Sequence, residues 1–562
     1  MEWLVSTLRQ YPELAVFLAL GLGYFIGKQK FKGFSLGAVT GTLLAGVLIG
    51  QLNITVSPNV KAVFFLMFIF AVGYGVGPQF FRGLKSDGLS QVLFAVVVSL
   101  TCLACTYLAA LFLHFPAGSA AGLLSGACTI SAVIGVASET INQLAIPAQQ
   151  KAAYLNQIPV AYAVTYIFGT AGAVWFLSSV GPKLLRVDLP AACKELEAKM
   201  GAGQPEPGVV SAYTGLVVRA YRLTNPSLVG QTVAQIEARF ASQRVYVDRL
   251  RLGGKVVDTK PDLVVQAGDV VALASYREAL LEIEKDIGPE VDDREVLDFP
   301  AEHLDVVITN KAIAGKTLKE IAESDIGRQG RGVFIRKLTR GGVEMPVTLG
   351  TEIDRGDVLT LAGARVDVDR VAKLAGYAER PTDATDMVFV GFGILLGGLI
   401  GALSFKIGAI PLSLSTSGGA LMGGLVFGWL RSIHPTFGRI PAPALWVMNS
   451  VGLTTFIAVV GIDAGPQFVM GLKQAGIGLF FAGVFVTIVP LVVGIYAGKY
   501  LFKMHPAIIL GACSGSRAVT AALGAIQEAA QSKVPALGYT VTYAVGNTLL
   551  IIWGVVIVLL MG

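Results

Sequence analysis

Few ionisable side chains interrupt the apolar stretches of this 562-residue chain, and a charge inside such a stretch costs enough to mark a functional position. Arg517, in Gly511-Ala-Cys-Ser-Gly-Ser-Arg517, offers a planar guanidinium. It could grip a carboxylate through two parallel hydrogen bonds, or be neutralised by a structural carboxylate. Asp463, in Gly461-Ile-Asp-Ala-Gly465, could meet an ammonium group or pair with Arg517. Hydroxyls gather in two small-residue segments: Ser514, Ser516 and Thr520 around the arginine, and Thr129 and Ser131 in Gly126-Ala-Cys-Thr129-Ile-Ser131. If these segments break inside the membrane, their freed amides and helix N-termini suit carboxylate anions. Plain helix packing by small residues is the alternative.

The elements that must hold these residues fall into two apolar blocks, roughly 11–180 and 384–562. Apolar segments near 13–28, 34–51, 60–81, 89–113, 118–138 and 155–178 make up the first, and 386–404, 412–430, 446–468, 476–502, 506–528 and 536–561 the second. Many approach the ~20 residues a helix needs to cross the hydrocarbon core. The blocks repeat each other. Gly73-Tyr-Gly-Val-Gly77-Pro78-Gln79-Phe80, with Gly83 and Lys85, returns as Gly461-Ile-Asp-Ala-Gly465-Pro466-Gln467-Phe468, with Gly471 and Lys473. Gly21, Gly23 and Gly27 match Gly391, Gly393 and Gly397, and Ser35-Leu36 with Gly41, Gly46 and Gly50 match Ser413-Leu414 with Gly419, Gly424 and Gly428. Gly126-Ala-Cys-Thr129 matches Gly511-Ala-Cys-Ser514, and Tyr162, Thr165, Tyr166 and Gly169 match Tyr539, Thr542, Tyr543 and Gly546.

A duplicated membrane block is the build of many secondary transporters, whose substrate site lies at the repeat interface. Gly77-Pro78-Gln79 and Gly465-Pro466-Gln467 are read as helix breaks with a gating role, because an interior proline removes a hydrogen bond. Tyr74, Gln79 and Gln467 could line the cavity, and Arg82 is either a positive-inside anchor or a gating contact. Glu139 and Glu528, at similar places after the small-residue segments, read better as loop or interface carboxylates than as ligands.

Cytoplasmic loops are enriched in Lys and Arg. Placing Lys28, Lys30, Lys32, Arg82, Lys85, Lys183 and Arg186 inside requires that one late segment of the first half fail to cross. The Gly126 segment is the best candidate. The same assignment puts Arg380, Arg431, Arg439, Lys499 and Lys503 inside, and only Arg9, Lys61, Lys151, Lys406 and Lys473 outside. The expectation is therefore a mainly α membrane protein with inverted halves, about ten crossings in all plus two re-entrant or broken segments.

Composition agrees: 54% of residues are hydrophobic, 15% are charged, and mean hydropathy is +0.66. Soluble domains carry about 25% charge. Sixty-seven glycines suit close helix packing. The net charge of +6 is spread over segment ends and the central region without a basic tract, so nucleic acid is not an expected partner. Five cysteines, mostly in apolar segments, imply no disulfide framework, and Cys102-x-x-Cys105 reads as two small packing residues. Four dispersed histidines (His114, His303, His434 and His505) and no Walker lysine argue against an enzyme and against ATP-driven transport. No cleavable signal, cofactor or metal is expected.

Between the blocks, two stretches alternate as strands do and share a plan. Leu216–Tyr221, Gly230 and Gly268-Asp269 recur as Leu304–Thr309, Gly315 and Gly356-Asp357, with each Gly-Asp turn ahead of an apolar strand. The boundaries read are a first membrane repeat at 1–182, modules at 205–290 and 295–377, and a second membrane repeat at 384–562.

The paired Gly-Pro-Gln-Phe and Gly-Ala-Cys-Thr/Ser elements, with two modules between them, resemble the aspartate:alanine exchanger family. The central pair is similar to RCK C-terminal (TrkA-C) modules. The resemblance covers nearly the whole chain. It implies a bacterial cytoplasmic (inner) membrane antiporter working by alternating access, with cytoplasmic modules and membrane lipids around it. Its substrates would be aspartate and alanine, or a related dicarboxylate such as succinate. It also implies a homodimer, coupling to an aspartate decarboxylase, and a small regulatory ligand or a spacer role for the modules. An RCK-regulated cation channel or carrier is the rival. Val72-Gly-Tyr-Gly-Val only superficially evokes a potassium filter, and its copy reads Val-Gly-Ile-Asp-Ala.

Overall fold

The computed structural model describes residues 2–31, 34–35, 37–84, 88–199, 216–243, 245–379, 384–407, 410–413, 415–434 and 438–562. Lys32, Lys85 and Arg380 of the charge argument, and Leu36 and Leu414 of the matched pairs, lie outside these residues. The chain divides into two compact units. One comprises Met1–Leu196, Gly341–Val343 and Thr382–Gly562, the other Glu197–Arg340 and Glu344–Pro381.

The first unit is helical. After a leading helix at Glu2–Gln10 come α1 (Pro12–Lys28), α2 (Gly37–Gly50), α3 (Pro58–Gly83), α4 (Leu89–Phe112), α5 (Ala117–Ala127), α6 (Ala132–Gln143) and α7 (Ala148–Trp175). The second stretch supplies α8 (Met387–Ala402), α9 (Ser415–Ile433), α10 (Ala442–Lys473), α11 (Gly476–Leu501), α12 (Pro506–Ser516), α13 (Thr520–Ala530) and α14 (Ala536–Met561). Six helices among the described residues are long and apolar enough to cross a membrane: α3, α4, α7 with its continuation to Leu185, α10, α11 and α14. This is a multi-pass, mainly α membrane protein.

Helix ends follow local chemistry. Proline opens α1 and α3 within the first turn, where a missing N–H is harmless. Asp386 caps α8 by accepting from Phe389 N at 3.0 Å and holds Gly438 N at 2.9 Å. Gly476, at φ 62°, makes the kink between α10 and α11.

Glycine decides how closely the helices cross. A Cβ on Gly73 would meet Leu421 O, with Gly424 Cα at 3.0 Å, and one on Gly461 would meet Leu43 O, with Gly46 Cα at 3.1 Å. Pro78 and Pro466 do not break their helices, contrary to the expectation from sequence; α3 and α10 run through them. Each proline withholds the N–H that would bond the carbonyl four residues back, that of Tyr74 and of Ile462. Each of these carbonyls lies against a glycine of a crossing helix, Gly428 for Tyr74 and Gly50 for Ile462, where any Cβ would collide. The prolines thus serve helix packing, and the true breaks lie elsewhere.

Among its described residues the second unit holds two larger sheets and a short antiparallel pairing of Lys316–Thr317 with Glu352–Ile353. β1 (Leu216–Arg222), β2 (Tyr246–Leu252), β3 (Lys255–Asp258) and β4 (Val270–Tyr276) pair in the order β1-β4-β2-β3. β5 (Ala301–Ile308), β6 (Val333–Arg340), β7 (Val343–Met345), β8 (Val358–Ala364) and β9 (Gly376–Glu379) pair as β7-β6-β8-β5-β9. The Gly-Asp turns carry structural carboxylates. Asp269 accepts from Gln266 N at 2.7 Å, and Asp357 accepts from Asp354 N at 2.8 Å while binding Arg340 through both oxygens.

The two sheets meet through charge. Arg331, just before β6, grips Glu237 with Nε at 2.7 Å and Nη2 at 2.5 Å, and donates to Val247 O at 2.7 Å. Asp248, beside this pair, is pushed up to about 7 by burial and by the neighbouring Asp367 and Glu237, with Arg331 opposing. Its unfolded value is near 3.8, so folding takes up a proton between these limits. The stability tied to the protonated form is present below pH 3.8 and is lost as pH rises through 7. Asp248→Asn should therefore protect β2 from hydrogen exchange in the full chain at pH 8 relative to wild type, by up to a few kcal/mol, on the order set by ~1.4 kcal/mol per unit. The two proteins should converge at pH 5, and equal protection at pH 8 would contradict this account.

Candidate functional site

The broken elements are the two small-residue segments. In the first, α5 stops at Ala127, Thr129 takes a left-handed φ of 59°, and α6 restarts at Ala132. In the second, α12 stops at Ser516, Ala518 sits at φ 54°, and α13 restarts at Thr520. A left-handed non-glycine residue costs about 1–3 kcal/mol and persists only where its surroundings enforce it. The same clasp does so at both breaks. Ser125 Oγ donates to Ile130 O at 2.8 Å, and Ser514 Oγ to Val519 O at 2.8 Å. Ser131 bonds Tyr162 OH at 2.8 Å, and Thr520 bonds Tyr539 OH at 2.8 Å.

These contacts correct the register read from sequence. Gly126 packs on Tyr162 O and Tyr166 N, and the residue that packs on Tyr539 O and Tyr543 N is Gly515, one helical turn beyond Gly511. The structural counterparts are therefore Cys128 and Arg517, Thr129 and Ala518, Ser131 and Thr520, and Glu139 and Glu528.

A cavity of about 480 Å³ opens at this crossing. Thr129, Ser131, Gly75, Asn449, Ala518 and Asn547 are among its lining residues, so both left-handed residues face it. Thr129 Oγ1, Asn449 Oδ1 and Asn547 Nδ2 are buried there without a hydrogen-bond partner. Buried polar atoms are nearly always paired, so three unpaired ones around a single cavity mark it as the candidate ligand site. The set is two-sided. A carbonyl oxygen suits an ammonium group, while an amide, a hydroxyl and the N-terminus of α6 suit a carboxylate.

The residues singled out from sequence divide. Thr129 and Ser131 line the cavity, whereas Ser514, Ser516 and Thr520 serve the break or its helix through bonds to Val519 O, Ala512 O and Tyr539. Arg517 is fully buried but is not among the lining residues. Its guanidinium donates to Thr487 O at 2.7 Å and to Ala127 O. It thereby places a positive charge on the carbonyl end of α5, where the helix dipole is negative.

Asp463 does not pair with Arg517. It is exposed on α10, and the cation it feels is Lys61 of α3. Its sequence counterpart Gly75 does line the cavity. Gly77 and Gly465 pack against Leu425 O and Gly50, Gln467 accepts from Asn156 at 2.8 Å, and Tyr74 donates to Gly438 O at 3.0 Å. Gln79 is buried, and Arg82 is half-buried near the end of α3. Sequence reasoning missed Asn449, Asn547 and Ser450, a further lining residue. Asn547 directly follows the matched Gly546, and a polar amide inside an apolar helix was the available signal.

A helical membrane unit with a half-polar cavity at two broken helices defines a membrane transporter. The described similarities agree. Residues 15–181 and 389–559 match the family model described as "Predicted Permease Membrane Region", and residues 303–376 match a TrkA-C domain. An uncharacterized transporter of Shewanella oneidensis is 49% identical across the full length of both chains. One from Bradyrhizobium diazoefficiens is 41% identical over 92% of this chain and all of its own, and one from Francisella tularensis is 35% identical over 98% and 97%. No solved structure matches. The chain belongs to this permease family.

Proposed function

We propose that the chain is a secondary antiporter of small amino acids and dicarboxylates, most simply aspartate against alanine, rather than an enzyme. Alternating access between inverted halves would drive it. The observation that carries this reading is the cavity at the crossing, where unpaired Asn449 Oδ1, Asn547 Nδ2 and Thr129 Oγ1 complement an ammonium and a carboxylate. Support for the inverted halves comes from paired packing, Gly73 on Leu421 and Gly424 against Gly461 on Leu43 and Gly46, and from the two matched clasps. Aspartate entering at net −1 against neutral alanine leaving would move charge across the membrane. With a proton-consuming decarboxylation inside the cell, that exchange would act as a proton pump.

Alanine fits the neutral lining directly, and the second carboxylate of aspartate would turn toward the α6 N-terminus. In the half-cycle facing the other way, Asp463 and Lys61 occupy the places that Gly75 and Asn449 hold here, adding a charge pair for a zwitterion. The test is counterflow in proteoliposomes loaded with alanine and offered labelled aspartate, with succinate and glutamate as alternatives. Aspartate uptake should require internal alanine; uptake indifferent to it would reject exchange. Potassium-dependent current without amino acids would favour the channel reading instead.

A further inference from the structure

Glu139 and Glu528 hold equivalent places, each eight residues past the residue that clasps a tyrosine, yet the structure shows them in opposite conditions. Glu139 reaches the first turn of α9. Its Oε1 accepts from Thr416 N at 3.0 Å and Thr416 Oγ1 at 2.6 Å, and its Oε2 accepts from Ser417 N at 3.4 Å and from the Ser417 hydroxyl. Four donors and the positive end of a 19-residue helix hold one carboxylate. Glu528 is exposed, and its backbone carbonyl accepts from Gln531 N at 3.2 Å while its carboxylate holds no such helix turn among the described residues. The corresponding first turn is that of α2, where Ala38 and Val39 border the open cavity.

From this we infer that Glu139 and Glu528 are reciprocal gate latches: one carboxylate docks on the N-terminus of α9 while the other is released from the N-terminus of α2, and the two exchange when the transporter reverses. The proposal rests on the alternating-access reading but not on any particular substrate. The latches are unequal. Thr416 and Ser417 each add a hydroxyl to the backbone amide, whereas Ala38 and Val39 offer amides alone. The empty carrier therefore rests with Glu139 docked and the Ala38 side open.

The experiment needs no substrate. Gly75 borders the cavity with no atom closer than 4.0 Å to an added Cβ, and the native cysteines are all buried, so Gly75→Cys reports the open cavity through its rate of labelling by a membrane-impermeant maleimide. In that background Glu139→Gln should slow labelling at least threefold, because the carrier no longer rests with this side open. Glu528→Gln should leave the rate as it was or raise it. Thr416→Ala with Ser417→Ala removes the two hydroxyls, should act in the direction of Glu139→Gln, and serves if that variant fails to fold. Labelling within twofold of the reporter alone in every variant that folds would overturn the latch. Slowed labelling combined with failed aspartate counterflow would keep the latch and reject the substrate pair.

Discussion

Arg517→Ala should abolish transport and lower the melting temperature together. The side chain is fully buried, and its Nη1 and Nη2 donate to the carbonyls of Thr487 and Ala127. Removing it strands both acceptors, opens a cavity at the crossing, and leaves the carbonyl end of α5 without its counter-charge. Losses of this kind amount to about 3–5 kcal/mol. Arg517→Lys separates two roles for the residue. As a clamp on the crossing, Arg517 needs two directed donors that an ammonium on a shorter reach does not reproduce, so stability and exchange should fall in step. As a direct grip on substrate carboxylate, it would lose transport at an unchanged melting temperature. Melting curves alongside counterflow rates decide, and the carbonyl contacts favour the clamp.

Asp463→Asn should impair transport from one face only. The cavity in this structure is bordered by Gly75 and Asn449, both neutral, while their repeat counterparts Asp463 and Lys61 lie exposed or half-exposed. If the halves exchange roles, a substrate arriving at the opposite face meets that charge pair. Loss of the carboxylate should raise KM at that face about tenfold, the worth of ~1.4 kcal/mol, and leave KM at the other face within a factor of two. Oppositely oriented vesicles, assayed with the same labelled substrate, make the comparison. A symmetric change in KM would show that Asp463 acts on the fold or on a site shared by both states.

Much of the architecture was legible in the chain because glycine spacing and apolar length are local properties. The matched glycines at 73 and 461, or 50 and 428, mark helix crossings because only hydrogen fits there. Broken segments around Cys128 and Arg517 were also readable from their small and hydroxyl residues. The behaviour of Pro78 and Pro466 was not, since whether a helix survives a proline depends on the packing around it, and the glycines that press on these turns, Gly428 and Gly50, lie hundreds of residues away. The site itself was half legible. Thr129 and Ser131 were found through the break they create, but Asn449 and Asn547 reach the cavity only through tertiary packing. Arg517 drew attention as a buried charge, and sequence could not reveal that its partners are backbone oxygens. The repeated Gly-Ala-Cys letters misled by one turn, because identity of residues competed with identity of contacts and the contacts define the fold.

The unequal first turns of α9 and α2 bear on why such a carrier would exchange at all. A carrier that rests firmly on one side seldom crosses the membrane unloaded. Net leakage down a gradient requires that empty return step, whereas one-for-one trading does not. Two hydroxyls, at Thr416 and Ser417, would then be enough to separate a swap from a leak, and trimming them should turn part of the obligatory trade into uncoupled efflux.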